Sequence, residues 1–138
     1  MTTTAWSPVQ HRRHLIQELL DSGCAEIRDL TDPMLRAQLE TEFRTTGDLV
    51  LALHERWTEL LEGNLDIALD LEDAALALGI AWDATVLCSP QLRRLLDAHA
   101  DHPLMRALSL RERARLGRLT GLGAGGVALA VRSFSSGA

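Results

Sequence analysis

A chain of 138 residues that is 46% hydrophobic and 24% charged is large enough to bury one core without disulfide or metal staples, and too apolar to remain unfolded as a whole. Its net charge of -5 argues against nonspecific nucleic-acid binding by the whole surface, and its two cysteines, Cys24 and Cys88, lack the spacing of a metal site or a disulfide framework. The charge is also segregated: residues 48 to 83 carry one arginine against nine acids, whereas residues 84 to 138 carry eight arginines against three.

All basic residues are arginine, lysine and tyrosine are absent, and leucine and alanine are abundant. Sparse β-branched and aromatic residues leave the balance of propensities with helix throughout. The polar start MTTTAWSPVQHRRH has no apolar leader core, and the longest weakly polar stretch, residues 119 to 131, falls short of the ~20 residues that span a bilayer. A cytoplasmic protein with reduced thiols is the expectation.

In chain order, Ser7-Pro8-Val9-Gln10 supplies a cap, a first-position proline and a reciprocal glutamine, and Gly23 supplies a stop, so the first helix is predicted over 8 to 22. A short turn is expected over 24 to 30. Asp32-Pro33 repeats the start signal, and Leu35, Leu39 and Phe43 come next before Gly47-Asp48 ends the run. The centre then carries Glu55, Glu59, Glu62, Asp66, Asp70 and Asp73, which fall within an arc of about 80° at ~100° per residue, opposite Val50, Leu53, Trp57, Leu61 and Ala68. With Leu60, Leu71 and Leu78 on the same apolar side, this predicts a long amphipathic helix from Leu49 to Leu78 that runs through or kinks at Gly63-Asn64. Ser89-Pro90 opens another helix at Gln91, Asp101-His102-Pro103 marks a turn, and Ser109-Leu110-Arg111-Glu112 reads as a capping box before RARLGRL.

The fold class predicted is therefore all-α, a compact bundle of about five or six helices forming one domain over residues 1 to 120. Residues 121 to 138 read as a Gly/Ser-rich tail, partly ordered at most, with Val127 to Val131 docking as one apolar turn or short strand.

Five like-charged neighbouring pairs along the acidic row would cost about 1 to 2.5 kcal/mol in total if unscreened. Screening by solvent and salt is one way to relieve this, and pairing with arginines is another. Arg111, Arg115 and Arg118 recur at i, i+4 and i+7, a basic row of matching period. Contact between the two rows, within a chain, between copies or with another protein, makes Glu55, Glu59, Glu62, Asp66, Asp70, Asp73, Arg111, Arg115 and Arg118 the candidate partner-binding residues. The function expected is a non-catalytic interaction or assembly module, with a homo-oligomer as one form of it, and without a cofactor.

Two other classes compete. A small metal-carboxylate bundle, as a binding protein or enzyme, draws on Glu59 and Glu62 and on the pairs His11/His14 and His99/His102, but no Glu-x-x-His occurs and no metal ligand set is assigned. A nucleic-acid-associated regulator draws on Leu108 to Leu116, which resembles the opening helix of a LuxR-type helix-turn-helix. The segment where a recognition helix would lie, GLGAGGVALAVRSF, offers only Arg132 and Ser133 for reading bases. The same glycines match G-x-G-x-x-G, but they come after an Arg-rich helix rather than a strand, and no acid trails them. No G-x-S-x-G or catalytic-cysteine signature is present. Trp57 belongs to the apolar stripe, while Trp6 and Trp82 are candidates to cover helix ends or anchor a partner.

Overall fold

The computed structural model describes residues 7–24 and 26–135. Among them are seven α-helices and no strand: α1 Pro8–Ser22, α2 Pro33–Glu42, α3 Thr46–Leu69, α4 Ala74–Cys88, α5 Pro90–Ala98, α6 Pro103–Thr120 and α7 Ala124–Ser135, with a 3-10 turn at Ile27–Asp29. No single helix among these residues is long and apolar enough to cross a membrane.

Local chemistry sets most boundaries. The Ser7 hydroxyl accepts the Gln10 N–H at 3.2 Å and the Gln10 side chain accepts the Ser7 N–H at 3.1 Å, which satisfies two donors that helix geometry orphans. Gly23 then leaves α1 at φ 73°, a conformation that costs glycine nothing. Asp32 caps α2 by accepting from Met34 and Leu35, with Pro33 at the first position. The His102 imidazole Nδ1 accepts the Leu104 N–H and starts α6 ahead of Pro103.

Three boundaries differ from the sequence reading. The run after Pro33 stops at Phe43, whose side chain is buried, and α3 starts on a second capping box in which Thr45 and Asp48 exchange bonds at 3.1 and 3.3 Å. Gly47 lies in the first turn of α3 and breaks nothing. At its other end, α3 passes through Gly63-Asn64 without interruption but finishes at Leu69, well short of Leu78. Asp70 lies at its C-terminal end, and Asp73 caps α4 by accepting the Leu76 N–H at 3.0 Å. A carboxylate at a helix start is favoured by the local dipole, whereas inside the last turns of one long helix it would be penalised. Asp73→Ala is expected to destabilise the protein by about 0.5–2 kcal/mol, the worth of an N-cap, in an equilibrium urea titration.

The third difference is at α6. Its start at Pro103 places Ser109 and Glu112 inside the helix, so they form no capping box. The helix ends at Gly121, φ 73°, and the glycine-rich segment resumes as α7. Gly117 makes that reversal possible: a Cβ there would stand 2.8 Å from the Leu122 carbonyl oxygen.

The core gathers one stripe from each long helix. Leu15 and Leu19 of α1, Leu53, Trp57 and Leu61 of α3, and Leu92 and Leu96 of α5 are fully or almost fully buried, and Val127 of α7 joins the same core. Helix α4 is apolar on nearly every side, with Asp83 its one charged residue. It packs against α3 on one flank and α7 on another. Asn64 secures the α3–α4 pair by donating to the Thr85 hydroxyl at 2.9 Å, and that hydroxyl donates on to the Ala81 carbonyl at 2.7 Å. Helix α4 also touches α5 and α6, and its Leu76, Ile80 and Leu87 remain exposed.

Candidate functional site

The acidic row is divided by the fold. Glu55, Glu59, Glu62 and Asp66 lie on α3, Asp70 sits at its end and Asp73 belongs to α4 as a cap. Two members are neutralised within the chain: Arg13 reaches Glu59 at 2.9 Å, and Arg115 grips Glu62 through Nη2 at 2.6 Å and Nε at 2.9 Å. Such partly exposed pairs contribute about 0–1 kcal/mol each, enough to offset neighbouring repulsion but not to hold a fold. Arg111 and Arg118 are exposed, and among the described residues neither pairs with an acid. Asp66 and Asp70 likewise make no ion pair there. The two rows therefore meet at one point, Glu62 with Arg115, while Glu59 is taken by Arg13 and Asp73 by its cap.

Beside the unpaired acids lies an apolar surface. Ile67, Leu71 and Ile80 line a groove of about 230 Å³ between the end of α3 and α4, with Ala68, Ala84 and Glu72. Ile67 is 64% exposed and Leu71, expected on the buried stripe, is 76% exposed because α3 ends at Leu69 before reaching it; Leu87, two helical turns beyond Ile80 and outside the groove, is 75% exposed. Isolated exposed leucines are ordinary, but a run of them around one groove is the kind of surface that proteins use for contacts.

A second cluster lies between α3, α4, α5 and α6. Trp57 is inaccessible to solvent and meets Trp82 edge to face, with ring centres 4.9 Å apart and planes at 72°. The Arg93 guanidinium lies over both rings, 4.6 Å from Trp57 and 5.3 Å from Trp82, while bonding to Asp97 on its own helix. The Trp57 indole N–H donates to Glu112 Oε1 at 2.8 Å. His54 Nε2 stands 3.7 Å from that same oxygen, too far for a hydrogen bond, and Thr58 Oγ1 is 3.4 Å from His54 Nδ1.

This burial sets the electrostatics. Desolvation pushes the Glu112 carboxyl above its ordinary range, against the opposing pull of Arg93, the Trp57 hydrogen bond and Arg113. The same burial, with the nearby Arg93 charge, lowers the pKa of the His54 imidazole. Both groups are thus biased toward their neutral forms. Cavities flank Glu112 on two sides. One, about 180 Å³, is lined by His54, Thr58, Leu61, Leu108, Arg111 and Glu112; the other, about 270 Å³, by Trp82, Arg93, Ser109, Glu112, Val127 and Val131.

Sequence reasoning missed Glu112 and His54, although a signal exists. Met105, Leu108, Glu112 and Leu116 are spaced 3, 4 and 4, so the glutamate lies on the buried stripe of α6, as His54 does between Val50 and Leu61 on α3. A polar residue in an apolar stripe needs a partner, and Trp57 supplies it. Of the histidine pairs, His102 is spent as a cap, and burial lowers the pKa of His99. Among the described residues no three His, Cys, Asp or Glu side chains stand close enough to hold a metal ion. The G-x-G-x-x-G glycines form the turn between α6 and α7 and the start of α7. Trp82 packs on Trp57 rather than covering a helix end, and Trp6 lies outside the described residues. Comparison of the chain with protein-family models, with curated proteins and with solved structures finds no match in any of the three.

Proposed function

We propose that the protein is a non-catalytic assembly module that docks the apolar surface at the α3–α4 corner onto an arginine-bearing helix of a second copy. The observation that carries this reading is the exposure of Ile67, Leu71 and Ile80 around one groove. Charge supports the choice of occupant. Asp66, Asp70 and Glu72 adjoin the apolar residues, so two such faces placed against each other would repel. On α6, Leu110 is 66% exposed between Arg106 and Arg113, with Arg111 and Arg118 also open to solvent, which offers an apolar anchor with the opposite rim. The contact is head-to-tail, so assembly closes as a ring or extends as a filament. In this reading Glu55, Asp66, Asp70, Arg113 and Arg118 set orientation, and Ile67, Leu71 and Ile80 supply most of the affinity.

Light scattering coupled to size exclusion tests it. The expected result is an oligomer at low salt whose mean mass falls as salt rises, because exposed charges are screened within about 10 Å at 0.1 M. Leu71→Glu and Arg113→Glu should each shift the protein toward monomer while leaving its circular dichroism unchanged. A monomer at every concentration and salt overturns the reading.

A further inference from the structure

The cavity between α3 and α6 offers a function separate from docking. Its walls are Leu61, Leu108 and Leu116, its floor is formed by His54 and Glu112, and its rim carries Arg111 beside the Glu62–Arg115 pair. Side-chain exposure at the floor is only 8% for His54 and 12% for Glu112. His54 Nε2 is buried and has no hydrogen-bond partner among the described residues, an unusual state for a polar atom inside a protein. A ligand hydroxyl reaching the floor would give it one. Arg111 adds a charge at the opposite end: it is exposed, it lines the same cavity, and no acid among the described residues engages it.

We infer that this cavity binds a small phenolic carboxylate, with the ring held among Leu61, Leu108 and Leu116, the hydroxyl against His54 and Glu112, and the carboxylate at Arg111. Size supports the ring: the volume is about 180 Å³, and an apolar cavity of roughly 150 Å³ accommodates benzene. Polarity supports the orientation. A carboxylate at the floor would be buried beside Glu112, whereas at the rim it meets an unpaired guanidinium that is suited to bidentate recognition. A hydroxyl can accept from a protonated Nε2 while donating to a Glu112 oxygen, or donate to an unprotonated Nε2 while accepting from the protonated Glu112 carboxyl, so it fits the floor in either tautomer of His54. The cavity lies away from the α3–α4 groove, and the inference does not depend on self-assembly.

The test is isothermal titration of the full chain with three probes: 4-hydroxyphenylacetate, phenylacetate and 4-methylphenol. The first is expected to bind one per chain, with the other two about tenfold weaker each, the worth of one hydrogen bond or one partly exposed charge contact. Arg111→Ala should weaken 4-hydroxyphenylacetate and phenylacetate to a similar extent and leave 4-methylphenol unchanged, because that probe has no carboxylate. Leu108→Phe, which fills the cavity, should abolish binding of all three, and the His54 ring resonances of the unsubstituted protein should move only with the hydroxylated probes. Absence of binding at millimolar 4-hydroxyphenylacetate overturns the inference. So does binding that survives Leu108→Phe in a protein that remains folded, or an Arg111→Ala effect that 4-methylphenol shares.

Discussion

Trp57→Ala is expected to lower the free energy of unfolding by about 3–5 kcal/mol, the range for truncating a large buried aromatic side chain. Domains of this size are stable by only about 5–15 kcal/mol, so this single change should leave the protein marginal or partly unfolded at 25 °C. Four interactions disappear together in that variant: burial of the whole indole, the edge-to-face packing with Trp82, the Arg93 guanidinium over the ring, and the N–H bond to Glu112. Trp57→Phe separates them. Phenylalanine keeps an apolar ring for Arg93 and Trp82 but deprives Glu112 of its indole donor, and that donor holds the carboxyl down. The Phe variant should therefore lose less stability than the Ala variant and carry a Glu112 pKa raised further. Urea denaturation followed by far-UV circular dichroism measures the stability of both variants, since indole fluorescence changes with the substitution itself, and carboxyl NMR titration reads Glu112. A loss below about 1 kcal/mol for Trp57→Ala would contradict a tightly packed indole at the centre of the core.

The all-α architecture was legible because helix starts and stops are local chemistry. Ser7 with Gln10, Asp32 with Pro33, and Gly23 each act within four residues, so the bonds they form can be anticipated without knowing the rest of the fold. Asp73 shows where such reasoning fails. It has the same helical phase as Glu55, and it is also a good N-cap, and nothing within its neighbourhood decides between an acidic row that continues and a helix that ends. The decision comes from packing: Leu78 and Ala81 of α4 turn back onto α3, where Asn64 bonds to Thr85, and an unbroken helix would forfeit that contact. Thr45 and Asp48 were hidden for a related reason, because the four-residue spacing through Phe43 suggested a helix that continued to Gly47.

The candidate site was less legible than the fold because its bonds span long stretches of chain. Both charged rows can be read from spacing, but which acid meets which arginine cannot: Glu62 and Arg115 are 53 residues apart, and Arg13, from a helix outside either row, takes Glu59. Glu112 is the sharper case. Its sequence context, three residues after Ser109, fits a capping box, and only the contact with Trp57, 55 residues away, reveals a buried acceptor. The stripe of Met105, Leu108 and Leu116 was the one local indication that this carboxylate faces inward.

Two substitutions at Glu112 should behave very differently. Glu112→Ala leaves the Trp57 indole N–H buried without an acceptor, a loss of about 1–3 kcal/mol, and joins the cavities on either side of it, which adds to the cost. Glu112→Gln keeps a carbonyl oxygen for the indole and removes the titration. In the folded protein the carboxyl is raised above its ordinary value of 4.5, so the native state holds its proton over a pH range in which the unfolded chain has released it. The stability contributed by this group is full below pH 4.5 and is lost as pH rises through the raised value. The Gln variant has no such loss, and its stability relative to the unsubstituted protein should therefore increase from pH 4 to pH 8. His54 works in the opposite sense: its lowered imidazole contributes stability above its ordinary 6.5 that is lost as pH falls, and because both proteins retain it, the difference between them isolates Glu112. Of the charged groups facing Glu112, Arg93 from α5 and Arg113 on α6 pull it down, and burial outweighs them. Parallel urea titrations at each pH give the comparison directly. A stability difference that does not change with pH would mean that Glu112 titrates as an ordinary surface carboxylate, and the neutral floor of the cavity beside it would be lost with that result.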